Sequence, residues 1–139
     1  MKLATINKID GVLAELKINK ISDSSTKKEI QRTYLSVRKA MRPFEKDRDE
    51  MIDKFRSDWK DEIMAISEKR YGDYSACLAA DQDLGKAIEK MLNENEAEIE
   101  FSPVNAEWLY APELWDNDVT LGGISKRVAF LVKHGIAEE

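Results

Sequence analysis

Apolar residues recur at helical spacing through most of this chain, and the breaks in that spacing set its elements. In residues 4–17, Ile6, Ile9, Leu13 and Leu16, with Val12 beside them, predict a short amphipathic helix. Gly11 lies inside it and weakens it by up to about 1 kcal/mol relative to Ala. Close packing against a neighbour is therefore expected to hold that helix. A polar connector, residues 19–25, leads to Thr26 and Glu29, whose spacing matches a capping box.

The dominant pattern follows. Ile30, Tyr34, Val37, Met41, Phe44, Met51, Phe55, Trp59, Ile63 and Ile66 fall mostly three and four apart, a sustained packing stripe on a helix expected over residues 26–69. Arg48 interrupts the seam. Pro43 lacks a backbone donor and crowds the preceding turn, so a kink or break is expected near Arg42. Continuous, the helix would run about 66 Å at 1.5 Å per residue, whereas a compact chain of this length has a radius of gyration of about 14 Å. It must protrude, bend or both.

After Tyr71 the period changes. Gly72-Asp73 reads as a helix end or turn, and Tyr74, Ala76 and Leu78 alternate as in a short strand. Asp81 or Asp83 caps a helix reaching about Asn93, with Leu84, Ile88 and Met91/Leu92 on its buried face. Glu98-Ile99-Glu100-Phe101 alternates with period two, a second strand ended by Pro103 that could pair with the first. Thr120 caps a last helix carrying Leu121, Ile124, Val128 and Leu131, stopped by Gly135. The three short helices sum to about 60 Å, nearly enough to cover the stripe. Any part left bare calls for a second copy of the chain. The expected fold is thus mainly α with a minor α+β part: a long helix, continuous or kinked at Pro43, packed by shorter ones beside a small two-stranded sheet.

Composition narrows the picture. The 139 residues are 42% apolar and 35% charged, which suits one domain with a high ratio of surface to core. The net charge of -5 conceals a division. Residues 1–70, the helical arm, hold seventeen Lys+Arg against thirteen Asp+Glu; residues 71–139, the acidic α+β part, hold five against fourteen. Such a division serves intramolecular attraction, a nucleic-acid or membrane contact at the basic end, or a basic partner at the acidic end. The longest apolar run, residues 128–132, is far short of the ~20 residues of a membrane span, and no secretory signal is seen, so a cytoplasmic protein is expected.

The familiar chemistries find little purchase. One cysteine, Cys77, precludes an internal disulfide, and one histidine, His134, precludes multi-histidine metal sites. The glycines of residues 120–126 lack phosphate-loop spacing and are expected to let a helix approach its neighbour closely. Asp116 and Asp118 open like a calcium loop, but Leu121 and Arg127 stand where Gly and Glu are required. Glu96, Glu98 and Glu100 could face a hard cation, yet solvated alternation explains them. Cys77 and His134 are the only thiol–imidazole pair; Cys77 reads as a small buried hydrophobe, and His134 as a cation meeting a helix dipole. No catalytic residue, cofactor or metal ligand is assigned, and an enzyme is the least expected class.

Two surfaces remain. At 100° per residue, Lys28, Arg32, Lys39, Arg42 and Lys46 share one face of the long helix opposite Ile30, Tyr34, Val37 and Met41, with Leu35 interrupting the row. That face is solvated or internally paired, or it meets a protein or nucleic acid. Trp108, Tyr110 and Trp115 crowd an acidic segment and serve as core, as interface, or as both.

The order of elements is similar to that of a family of small phage and prophage proteins. These begin Met-Lys-Leu with a short helix, continue with a long charged helix whose middle resembles Arg42-Pro43-Phe44-Glu45 through Lys54-Phe55, and end with a helix and an Ile-Glu-rich strand like residues 98–101. Pro43 and the segment from Trp108 to Trp115 depart from that pattern. The resemblance implies a mobile-element origin and a small accessory or assembly role, with no catalytic residues to carry over. The leading expectation is a non-enzymatic interaction protein that binds a protein partner, including itself as a homo-oligomer. The alternatives are a nucleic-acid-associated factor using the basic face, or an inhibitor of a basic host protein acting through the acidic half.

Overall fold

The computed structural model describes all of residues 1–139. Five helices, α1 (Leu3–Glu15), α2 (Ser24–Asp58), α3 (Lys60–Ser67), α4 (Ser75–Glu94) and α5 (Leu121–Lys133), dominate it, with a two-stranded sheet of β1 (Val104–Asn105) and β2 (Ala137–Glu138). The fold is mainly α with a small β part. The strands are parallel, with Val104 opposite Ala137 and Asn105 opposite Glu138. No helix is long and apolar enough to cross a membrane.

The chain forms two compact units. The first comprises Met1, Thr5–Met41 and Ala97–Glu139; the second comprises Lys2–Ala4 and Arg42–Glu96. The first unit holds most of the core. Ile6, Ile9 and Leu13 of α1, Ile30 and Val37 of α2, and Val128 and Leu131 of α5 are all fully buried there. Trp115 is buried with them, and its indole N–H donates to the Leu109 carbonyl at 2.9 Å. Charges of the N- and C-terminal segments pair within this unit: Arg127 with Glu15, and Lys17 with Asp116 at 3.9 Å. It carries eleven Lys+Arg against twelve Asp+Glu, so the basic stretch of α2 is nearly neutralised in its own unit.

Several local expectations are corrected. α2 runs unbroken through Pro43; Pro43 and Lys39, whose carbonyl loses its partner, are both solvent-exposed, where water can take the place of the missing bond. The break falls instead at Trp59, between α2 and α3. The start of α2 is capped by Asp23, whose Oδ2 accepts from the Thr26 N–H at 3.0 Å and the Thr26 hydroxyl at 2.7 Å, while Glu29 pairs with Arg32. These bonds hold the Asp23 carboxyl below its usual pKa.

Residues 74–78, expected as a strand, form the start of α4, set by Asp73 Oδ1 accepting from the Ser75 N–H and hydroxyl. Residues 98–101 pair with no strand; the Glu100 N–H donates instead to the Ser36 hydroxyl at 2.7 Å. In the turn that closes α3, Lys69 takes φ +56° and the Arg70 N–H is bonded to the Ala65 carbonyl. α1 is held by packing, as expected, with Ile6, Ile9 and Leu13 fully buried, although a Cβ at Gly11 itself would meet nothing within 4 Å. The nearest atoms that a Cβ at Gly122 or Gly123 would meet belong to Thr120, Val119 and Arg127, in the cap and first turns of α5 itself rather than in a neighbouring helix. Thr120 does cap α5, accepting from the Gly123 N–H at 3.0 Å. Gly135, at φ +76°, ends it: the Gly135 and Ile136 amides bond back to Val132 and Leu131.

Candidate interaction surfaces

The second unit buries little of what its sequence offers. Within it only Leu3, Phe44, Ala65 and Cys77 are buried. Met51, Phe55, Trp59 and Ile63 of the long stripe, and Leu84, Ile88, Met91 and Leu92 of α4, are each half-buried. Met64, Ile66 and Leu78 are exposed by 48%, 39% and 55%. Single exposed apolar residues are ordinary; a contiguous set on packed helices is what an unsatisfied interface leaves.

These side chains surround an open groove of about 660 Å³, walled by the last turn of α2, by α3 and by the first turns of α4. Phe55, Ile63, Met64 and Leu78 give it an apolar wall, and Cys77 lies among them. Arg56 and Lys60 supply positive charge, Glu68 and Asp81 negative. Burial pushes the Cys77 thiol up from its usual pKa, and the carboxylates Glu62 and Asp81 push the same way. A thiol so placed stays protonated and behaves as an apolar group.

A second groove, of about 680 Å³, belongs to the first unit. It is lined by Leu13, Leu16, Tyr34 and Leu35 with Lys17 and Lys20 at its edge. Leu35 is 68% exposed.

Lys28, Arg32 and Lys39 of the first unit, and Arg42 and Lys46 of the second, are all exposed on α2. Arg32 is engaged by Glu29 at 3.0 Å. The aromatic segment divides. Trp108 and Tyr110 are exposed by 38% and 39%, whereas Trp115 is fully buried and hydrogen-bonded, which removes it from any surface. Its indole fills the first unit's core because an N–H donor there finds a carbonyl. No group of three or more His, Cys, Asp or Glu side chains is gathered as for a metal ion. His134 packs edge-on to Phe130 at 4.6 Å between centroids; burial, then Lys133 and Lys8, lower its pKa. Its neutral form is favoured, contrary to the expectation of a dipole-stabilised cation. Comparison with family models, curated proteins and solved structures returns no match.

Met64 and Leu78 were not singled out by sequence. Leu78 is hidden by the strand reading of its segment. Met64 carries a usable signal: it widens the Trp59–Ile63–Ile66 stripe beyond what one packed face requires.

Proposed function

We propose that this protein is a non-enzymatic helical interaction module of phage or mobile-element type, acting as an accessory or assembly factor through a protein partner bound on its second unit. The observation that carries the reading is the half-buried apolar face of α2, α3 and α4 around Met64 and Leu78. Covering such a face removes apolar area from water at roughly 25 cal/mol per Å², and aromatic and Met side chains are favoured anchors of interfaces. The test is co-expression with a second, differently tagged copy and with the products of neighbouring genes. Met64→Asp and Leu78→Asp are expected to lose the association while keeping the thermal midpoint. Association unaffected by both substitutions, or no association with any of these proteins, overturns the reading.

The solvent-exposed Lys28, Lys39, Arg42 and Lys46 favour a second reading, contact with nucleic acid. The near-neutral first unit weakens its long-range attraction. It requires binding that falls steeply with salt and on charge reversal of these residues. No binding at low salt would dismiss it.

A further inference from the structure

The second unit's face carries a charge pattern that complements itself. Along α3, Lys60, Met64 and Glu68 stand four residues apart, so they form one row on one side of the helix, all three exposed. Met64 is its midpoint. The cation and the anion lie eight residues apart, about 12 Å along the axis. A two-fold axis at Met64 would lay a second α3 antiparallel on the first, Met64 against Met64 of the partner subunit, with Lys60 facing Glu68 of the partner subunit and the reverse. An isologous interface demands this property: the same patch must serve as both halves.

The other groove does not meet that demand. Its charged lining is Lys17 and Lys20, both positive, so a two-fold copy would set like charges together.

Resting on the reading of the second unit as a partner-binding surface, we infer that its occupant is a second copy of this chain, docked by a two-fold axis through Met64 that pairs Lys60 with Glu68 across the interface. Glu68 already meets Arg70 at 3.0 Å, but both side chains are more than half exposed. Such a pair contributes little and exchanges readily for an intermolecular one. Leu78 adds an apolar side chain to the same groove, and Arg56 and Asp81 add a cation and an anion to it.

Charge reversal separates this docking from any other. In Lys60→Glu, two copies would set the introduced carboxylate of each against Glu68 of the partner subunit; in Glu68→Lys, two copies would set ammonium against ammonium. Each variant alone should lose self-association by at least about tenfold. An equimolar mixture of the two should form heterodimers, and the double variant should self-associate again. Neither change opposes folding. Lys60→Glu joins Asp61 and Glu62 in the first turn of α3, and Glu68→Lys places a cation at its C-terminal end, both in the favoured sense of the helix dipole.

Native mass spectrometry of the wild type, the two variants, their mixture and the double variant reads all of this directly. Recovery of heterodimer from two monomeric variants supports the inference. Variants that dimerise like the wild type, or a mixture that stays monomeric, overturn it. A wild type that is monomeric while Met64→Asp abolishes capture of a co-expressed, different protein also overturns the second-copy inference, yet leaves the interaction reading standing.

Discussion

Arg38 Nη1 lies 2.7 Å from Asp10 Oδ2, joining α2 to α1 across 28 positions of sequence within the first unit. The Asp10 side chain is the more buried of the two, at 16% exposure against 34%, and its other oxygen is buried without a partner. Removing Arg38 strands that carboxylate; removing Asp10 leaves a half-exposed guanidinium that water can reach. Arg38→Ala is therefore expected to destabilise by about 2 kcal/mol, and Asp10→Ala by less. Urea unfolding of the two variants checks the order.

Gly11 and Gly85 lie inside α1 and α4, and a Cβ at either would meet nothing within 4 Å. Alanine costs no contact there and restricts the unfolded chain. Each Gly→Ala substitution should raise stability by about 0.5–1 kcal/mol, read as a higher thermal midpoint. A loss at Gly11 would mean that the added methyl group meets a neighbour there.

Lys69 holds φ +56° in the turn that ends α3, a conformation that a Cβ disfavours by roughly 1–2 kcal/mol. Lys69→Gly relieves that at some cost in unfolded-state entropy. A net gain of about 0.5–1 kcal/mol in chemical denaturation is expected.

Trp115 and Trp108 should respond unequally. Trp115→Phe leaves the buried Leu109 carbonyl without its donor and should cost about 1–3 kcal/mol. Trp108, 38% exposed, should cost less than about 1 kcal/mol on change to Phe. Thermal unfolding of both variants measures the difference.

The pKa of His134 is lowered in the folded state, so the folded protein binds its proton less readily than the unfolded chain does. Stability present above the usual value of 6.5 is thus lost as the pH falls through it toward the lower folded pKa. His134→Gln should flatten that part of the stability–pH curve. An unchanged slope would mean that burial by Phe130 and the charges of Lys133 and Lys8 do not act on this imidazole.

Where helical spacing was long and regular, the fold could be read from it. The stripe from Ile30 to Ile66 is helical, and Thr120 and Gly135 bound α5, because each signal acts through its own backbone neighbours. The strands could not be read. Residues 104–105 and 137–138 pair through contacts distant in sequence, and two residues hold no period. Residues 74–78 alternate by accident, while Asp73 caps a helix there. The stripe also could not say which of its residues would stay bare. That depends on how much of it α4 covers, and α4 leaves Phe55, Trp59 and Ile63 half-exposed. The charge division of the sequence, likewise, does not follow the units: the first unit joins the basic segment 5–41 to the acidic segment 97–139, and the two pair there.

The most direct test of the second unit's apolar face as a subunit interface is molar mass by light scattering over a dilution series of the full chain. One copy weighs 15.9 kDa. The wild type should approach twice that mass at high concentration and fall toward it on dilution, with Met64→Asp remaining at the single-copy mass throughout. A wild type that holds the single-copy mass at every concentration, or a Met64→Asp variant that associates as the wild type does, would contradict it.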